Sequence, residues 1–256
     1  MKKKFKKKAE REWENHSEGM RLNKFIAHTG LCSRRKAADL VKSGVVKVNG
    51  KTEIAPARLV MQGDEVEVKG EKLKLEREYV YFLMNKPRNT ITTTSDPRGR
   101  KTVLEIVEDK VKQRVFPVGR LDRDTTGVLL LTNDGDLTNK LTHPSFEVSK
   151  IYEITLNKPM REKDMVTIRD GITLDDGFIK VDSAHYLPEK GDQVIQLSLH
   201  SGRNRIVRRI CEHMGYRVER LDRTYFAGMT KKGVKRGWFR PLTSEEIRRL
   251  KYFNKL

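Results

Sequence analysis

Phe116-Pro-Val-Gly-Arg-Leu-Asp-Arg-Asp-Thr-Thr-Gly-Val-Leu-Leu-Leu-Thr-Asn-Asp-Gly135 decides the fold and carries the densest chemistry of the 256-residue chain. Gly119 and Gly127 bracket a polar loop, Val128, Leu129, Leu130 and Leu131 follow without a break, and Asn133-Asp134-Gly135 stops the run. Four aliphatics between turn signals read as a buried strand, so the loop ahead of them has a rigid support. That loop holds two carboxylates, Asp122 and Asp124, beside two guanidiniums, Arg120 and Arg123. Taken alone it is either a surface turn of balanced charge or a site.

Downstream of this stretch, Asp136 is placed to cap a helix over residues 137–142 that Pro144 ends. Lys150-Ile-Tyr-Glu-Ile-Thr-Leu156 alternates as a strand does, with Tyr152, Ile154 and Leu156 on one face. A helix is expected over 165–171, and strands over 177–185 and 193–199. In Gly202-Arg-Asn-Arg-Ile-Val-Arg-Arg-Ile-Cys-Glu-His-Met-Gly215, Asn204 is a candidate cap. Ile206, Val207, Ile210 and Met214 form an apolar stripe at helical spacing, flanked by Arg205, Arg208 and Arg209. Residues 217–226 read as a strand, and Thr243-Ser-Glu-Glu246 as a capping box opening a last helix. Upstream, residues 79–84 read as a strand running into Asn85-Lys86-Pro87, residues 95–101 as a cationic turn, and residues 103–112 as a helix.

The charge balance narrows the partner. Lys plus Arg number 54 against 35 Asp plus Glu, a net of +19. The first 19 residues hold seven basic and four acidic side chains, so most of the excess lies on the part expected to fold. That much positive charge on a folded surface points to a polyanion, nucleic acid first. Cys32 and Cys211 stand far apart, which fits a reducing compartment and argues against a disulfide scaffold. The sequence has no membrane-length apolar run and no secretory signal, so a cytosolic protein is expected. A Walker loop, a Rossmann glycine fingerprint and clustered Cys/His ligands are all missing from the sequence, so no cofactor and no metal is expected.

Residues 1–19 read as a disordered basic arm. Residues 20–68 read as a separate module: Leu22, Phe25 and Ile26 share a helical face, Gly30 closes that helix, and Ser33 caps a second over 34–42. Val45-Val-Lys-Val48 then enters an Asn49-Gly50 hairpin turn, and 65–68 is a further strand. Arg21, Lys24, Arg34, Arg35, Lys36 and Lys42 are spread over the helix pair. Residues 69–78 read as a charged linker, and 79–256 as the second domain.

Gly119-Arg120-Leu121-Asp122, followed by Thr125-x-Gly127 and Leu130-Leu131-Thr132-Asn133-Asp134-Gly135, resembles the catalytic motif of the S4-bearing ribosomal RNA pseudouridine synthases. Lys150-x-Tyr152 and the 202–215 helix resemble two further motifs of that family, and Lys86-Pro87 a fourth. In the fourth motif Asn89 replaces a usual glycine, and Asn is the best substitute at positive φ. Arg21-Leu22-x-Lys24-Phe25, Ser33-Arg34-Arg35-x-Ala37 and Val46-x-Val48-Asn49-Gly50 resemble an S4 domain.

The resemblance implies an α+β protein: a small N-terminal S4 RNA-binding domain, then a mixed, mainly antiparallel sheet with flanking helices. It implies that Asp122 is the essential catalytic residue, that Tyr152 lies against a flipped base, and that Arg208 pairs with Asp122. Choosing between Arg208 and Arg209 depends on which helix face turns inward. RNA contacts are expected from Arg21, Lys24, Arg34, Arg35 and Lys36 in the first domain, and from Lys86, Arg120, Arg203 and Arg205 in the second. The implied reaction converts a uridine in ribosomal RNA, with the large subunit favoured, by moving the sugar bond from N1 to C5. A monomer acting on rRNA or an assembling ribosomal particle is expected. The rival expectation is a non-catalytic S4 protein that assists ribosome assembly.

Overall fold

The computed structural model describes residues 19–75 and 78–252. The expected basic arm, apart from Gly19, lies outside the described residues. Between Tyr79 and Val80 the chain divides into two compact units.

The first unit contains β1 (Met20–Arg21), α1 (Leu22–His28), α2 (Arg34–Lys42), β2 (Val46–Val48), β3 (Lys51–Thr52), β4 (Leu59–Val60), β5 (Val66–Val68) and β6 (Glu71–Lys72). Its core is small and aliphatic: Leu22, Phe25 and Ile26 of α1 meet Ala37 and Val41 of α2 and the inward valines of β2 and β5. Ser33 caps α2 by accepting from the Lys36 amide. Asn49 and Gly50 both take positive φ, 52° and 77°, as a tight two-residue hairpin turn requires. The stretch expected as a linker begins inside this unit, because β6 pairs with β5 in a sheet ordered β3-β2-β5-β6. Both β6 residues are exposed charges on an edge strand, so no hydrophobic alternation marks it.

The second unit is built on a nine-stranded sheet. Its strands are β7 (Tyr81–Lys86), β8 (Phe116–Pro117), β9 (Thr126–Thr132), β10 (Lys150–Leu156), then β13 (Ser183–Tyr186), β14 (Val194–Leu199), β15 (Val218–Phe226), β16 (Met229–Thr230) and β17 (Phe239–Pro241). The order is β13-β14-β10-β15-β9-β7-β17, with β16 on β15 and β8 on β9. Every pairing in this sheet is antiparallel except β15 with β9. The run Val128 to Leu131 is 0–3 % exposed, because β9 lies between two neighbours with both faces covered. Each such side chain contributes about 1.5–3 kcal/mol relative to an exposed one. A hairpin of β11 (Ile172–Leu174) and β12 (Gly177–Ile179) stands apart from the sheet. Among the described residues four α-helices complete the unit: α3 (Gly135–Thr142), α4 (Glu162–Asp170), α5 (Ile206–His213) and α6 (Ser244–Lys251).

Several expectations are corrected. Residues 103–110 form a run of turns rather than a helix; β-branched Val103, Ile106 and Val107 disfavour continuous helix. The strand expected over 177–185 is two strands, one in the β11–β12 hairpin and one in the main sheet. Helix α3 is capped by Asp134, which accepts from the Leu137 amide, so Asp136 sits in the first turn. Asn204 does not cap α5; Arg205 occupies that place with a left-handed φ of 47°. Asn89 adopts φ 59°, and the turn after Pro87 forms without glycine.

Candidate active site

The loop before β9 is held from below. Lys86, at the end of β7, lies opposite Gly127 and has no exposed surface. Its ammonium donates to the carbonyl oxygens of Pro87, Asp122, Arg123 and Thr125 at 2.8–3.2 Å. Lys86 was expected among the RNA contacts; complete burial rules this out, and the group instead ties the Asp122 loop to β7. Burial pushes its pKa down to about 8, against the opposing pull of Asp122 and then Asp124. Thr92 adds a second tie, donating from Oγ1 to the Leu121 carbonyl at 2.9 Å.

Two guanidiniums face the Asp122 carboxylate. Arg205 Nη1 lies 3.6 Å from Oδ2 and Arg208 Nε lies 3.8 Å from the same oxygen. Both exceed hydrogen-bond length, so the pairing is coulombic in the free protein, a looseness common before substrate closes a site. Arg208 is half-buried and donates from Nη1 to the Val218 carbonyl at 3.2 Å. Burial, then the neighbouring Arg205, lowers its pKa, while Asp122 supports the charge. Arg209 looks the other way and grips Asp175 and Asp176 in the β11–β12 turn. The apolar stripe of α5 (Ile206, Val207 and Ile210) is buried, and this sets the rotation that turns Arg208 toward Asp122.

A cleft of about 160 Å³ opens beside Asp122. Its lining includes Arg120, Lys150, Tyr152, Arg205, Leu221 and Arg223. Tyr152 sits on the buried face of β10 at 9 % exposure. Arg120 is exposed at the rim. Arg203, expected as an RNA contact, also lines the cleft, but its guanidinium donates to the Gly177 and Phe178 carbonyls at 3.2 and 3.0 Å. In the first unit Arg21, Arg34, Arg35 and Lys36 are exposed and Lys24 is partly so. Arg223 escaped the sequence reading; it is an arginine in a strand, with no motif around it, and only the sheet register brings it to the cleft. Among the described residues no cluster of His, Cys, Asp and Glu could hold a metal ion.

Comparison with known proteins fits this geometry. A family model for RNA pseudouridylate synthase matches residues 80–213, and one for the S4 domain matches residues 20–66. The chain is 44 % identical to Ribosomal large subunit pseudouridine synthase B of Bacillus subtilis, over 90 % of this chain and 95 % of that protein. It is 34 % identical to Dual-specificity RNA pseudouridine synthase RluF of Escherichia coli, over 89 % of this chain and 77 % of that one. A crystal structure of a pseudouridylate synthase superposes with a TM-score of 0.66 at 29 % identity, covering 91 % of this chain and all of the other. With the sheet, the cleft and the relatives in agreement, the chain belongs to the RNA pseudouridine synthases, isomerases of uridine within RNA, and to their S4-bearing branch.

Proposed function

We propose that this protein isomerises one or more uridines of large-subunit ribosomal RNA, with Asp122 as the catalytic carboxylate. The observation that carries the reading is a carboxylate flanked by two arginines at the mouth of a cleft walled by a buried tyrosine. Similarity to the Bacillus subtilis large-subunit enzyme supports the substrate. The uridine leaves its stack at a cost of a few kcal/mol and enters the cleft. Asp122 then acts at the sugar, either bonding to C1′ or removing a sugar proton. Arg208 and Arg205 face its carboxylate and aim it. The C1′–N1 bond breaks, the base turns, and C5 bonds to C1′. The C5 proton leaves last, and the Tyr152 phenol is placed to accept or relay it while its ring packs against the base. Arg120 at the rim fills the vacated stack or holds a phosphate. Arg21, Lys24, Arg34, Arg35 and Lys36 grip structured RNA through phosphate contacts that position rather than specify. The protein acts as a monomer in the cytosol, where its two buried cysteines, which form no disulfide, stay reduced.

Tritium release from ribosomal RNA labelled at uridine C5 tests the reading. The wild type is expected to release tritium, and Asp122→Asn to release none while binding RNA within about threefold of wild type. Turnover retained by that variant refutes the assignment of Asp122. A wild type that binds rRNA without release supports the assembly-protein alternative.

A further inference from the structure

Arg223 is an arginine at 3 % exposure with no carboxylate partner among the described residues, a rare condition for a charge. Tyr152 is its cross-strand neighbour. A shift in register between Ile151 and Tyr152 places the pair: Ile151 faces Tyr225, Tyr152 faces Arg223, and Thr224 is the extra residue. The guanidinium donates from Nε to the Val128 carbonyl at 2.9 Å and stacks on the Phe226 ring at 4.4 Å. Its Nη2 is buried and has no hydrogen-bond partner among the described residues. The charge is penalised by burial and favoured by the Tyr152 phenol. Lys150, also lining the cleft, is a second cation nearby; burial and then Arg223 push its pKa down to about 8. Two neighbouring cations and an unused N–H make the inner wall suited to negative charge, and an orphaned buried donor in a native site calls for a role.

We propose that Arg223 is a catalytic residue that donates from Nη2 to a carbonyl oxygen of the detached uracil and stabilises it as an anion. The role rests on the isomerase reading above and extends it from the sugar to the base. When C1′–N1 breaks, its electron pair stays on the base and spreads over N1, O2 and O4. This holds whether Asp122 has bonded to C1′ or has taken the C2′ proton. The anion then uses its C5 electron pair to bond C1′, the carboxylate leaves or returns its proton, the C5 proton departs, and N1 gains one. No oxidant or co-reactant is needed. Val128 and Phe226 hold the guanidinium against the cleft wall before reaction, so only a small parting of that wall as the base enters brings Nη2 to its oxygen.

The test uses full-length protein with rRNA carrying either uridine or 5-fluorouridine at the target. Fluorine withdraws electrons and makes the base a better leaving anion. Arg223→Met removes the charge and keeps the length. Single-turnover conversion is followed by chromatographic loss of the starting nucleoside after digestion, since isomerisation leaves mass unchanged, with melting temperature and RNA affinity measured alongside. The variant is expected to fold, to bind RNA nearly as wild type, and to lose about 10²-fold in rate on uridine. On 5-fluorouridine the loss is expected to be several-fold smaller. Equal losses on both RNAs, or a wild-type rate in the folded variant, overturn the proposal. Should Arg223→Met fail to fold, Arg223→Lys carries the same comparison, with a smaller loss on the fluorinated RNA required. A wild type that leaves uridine unconverted overturns the isomerase reading, and this role with it.

Discussion

Lys86 reaches four carbonyl oxygens, three of them in the loop that carries Asp122. Its effect on stability has a definite sign. The folded chain releases this proton at about pH 8, against 10.5 for the free side chain. Between those values the unfolded chain binds more protons than the folded one, so the contribution to stability rises with pH across that window. The change is about 3 kcal/mol at its limit. Lys86→Met is expected to lack this rise in urea titrations between about pH 8 and 10.5. The same variant frees the loop and is expected to slow single-turnover conversion by about 10²-fold with RNA affinity unchanged. A wild-type rate in Lys86→Met shows that the loop holds its place without the ammonium. The sequence marked Lys86 as important through its Lys-Pro context but mistook its job, because residue type alone does not distinguish a buried lysine from an exposed one.

Strand β9 joins its parallel neighbour β15 through a place where only glycine fits. A Cβ on Gly127 would lie 2.1 Å from the Arg223 carbonyl oxygen and 2.7 Å from both its amide nitrogen and the Asp222 carboxylate. Its φ of 106° is also unfavourable to any side chain. Two of these three obstacles are backbone, so the strands must part. Gly127→Ala is expected to destabilise the second unit by about 3–5 kcal/mol, read as a large drop in melting temperature. A melting temperature close to wild type refutes so tight a joint. At this scale the sequence was read well where periodicity is strong. β9 announces itself by its aliphatic run, β10 by alternation and α5 by its apolar stripe. It was misread where local signals compete. Asp134 and Asp136 both suit an N-cap, and only the backbone turn at Asp134 selects between them. The bulge that brings Arg223 beside Tyr152 arises from pairing between strands distant in sequence, which no local pattern encodes.

The molecule joins a small helix-and-sheet unit with exposed arginines on α2 to a large unit holding the cleft. Charge balance and two sets of motifs made that division and the RNA partner legible from sequence alone. Arg34 and Arg35 are both exposed. Reversing them, as Arg34→Glu with Arg35→Glu, is expected to weaken RNA binding and flatten its dependence on salt. For every phosphate that α2 no longer neutralises, the logarithmic slope should fall by about one. Single-turnover conversion at saturating RNA should stay near wild type, and an unchanged salt slope would refute phosphate binding by α2. The sheet itself sets a schedule for synthesis. Arg223 bonds to a carbonyl 95 residues behind it in the chain. A nascent polypeptide therefore carries Asp122 out of the ribosome long before the opposite wall of the cleft exists. Premature termination anywhere in that interval should yield a product with no partial activity, and chain elongation itself delays the enzyme's first turnover.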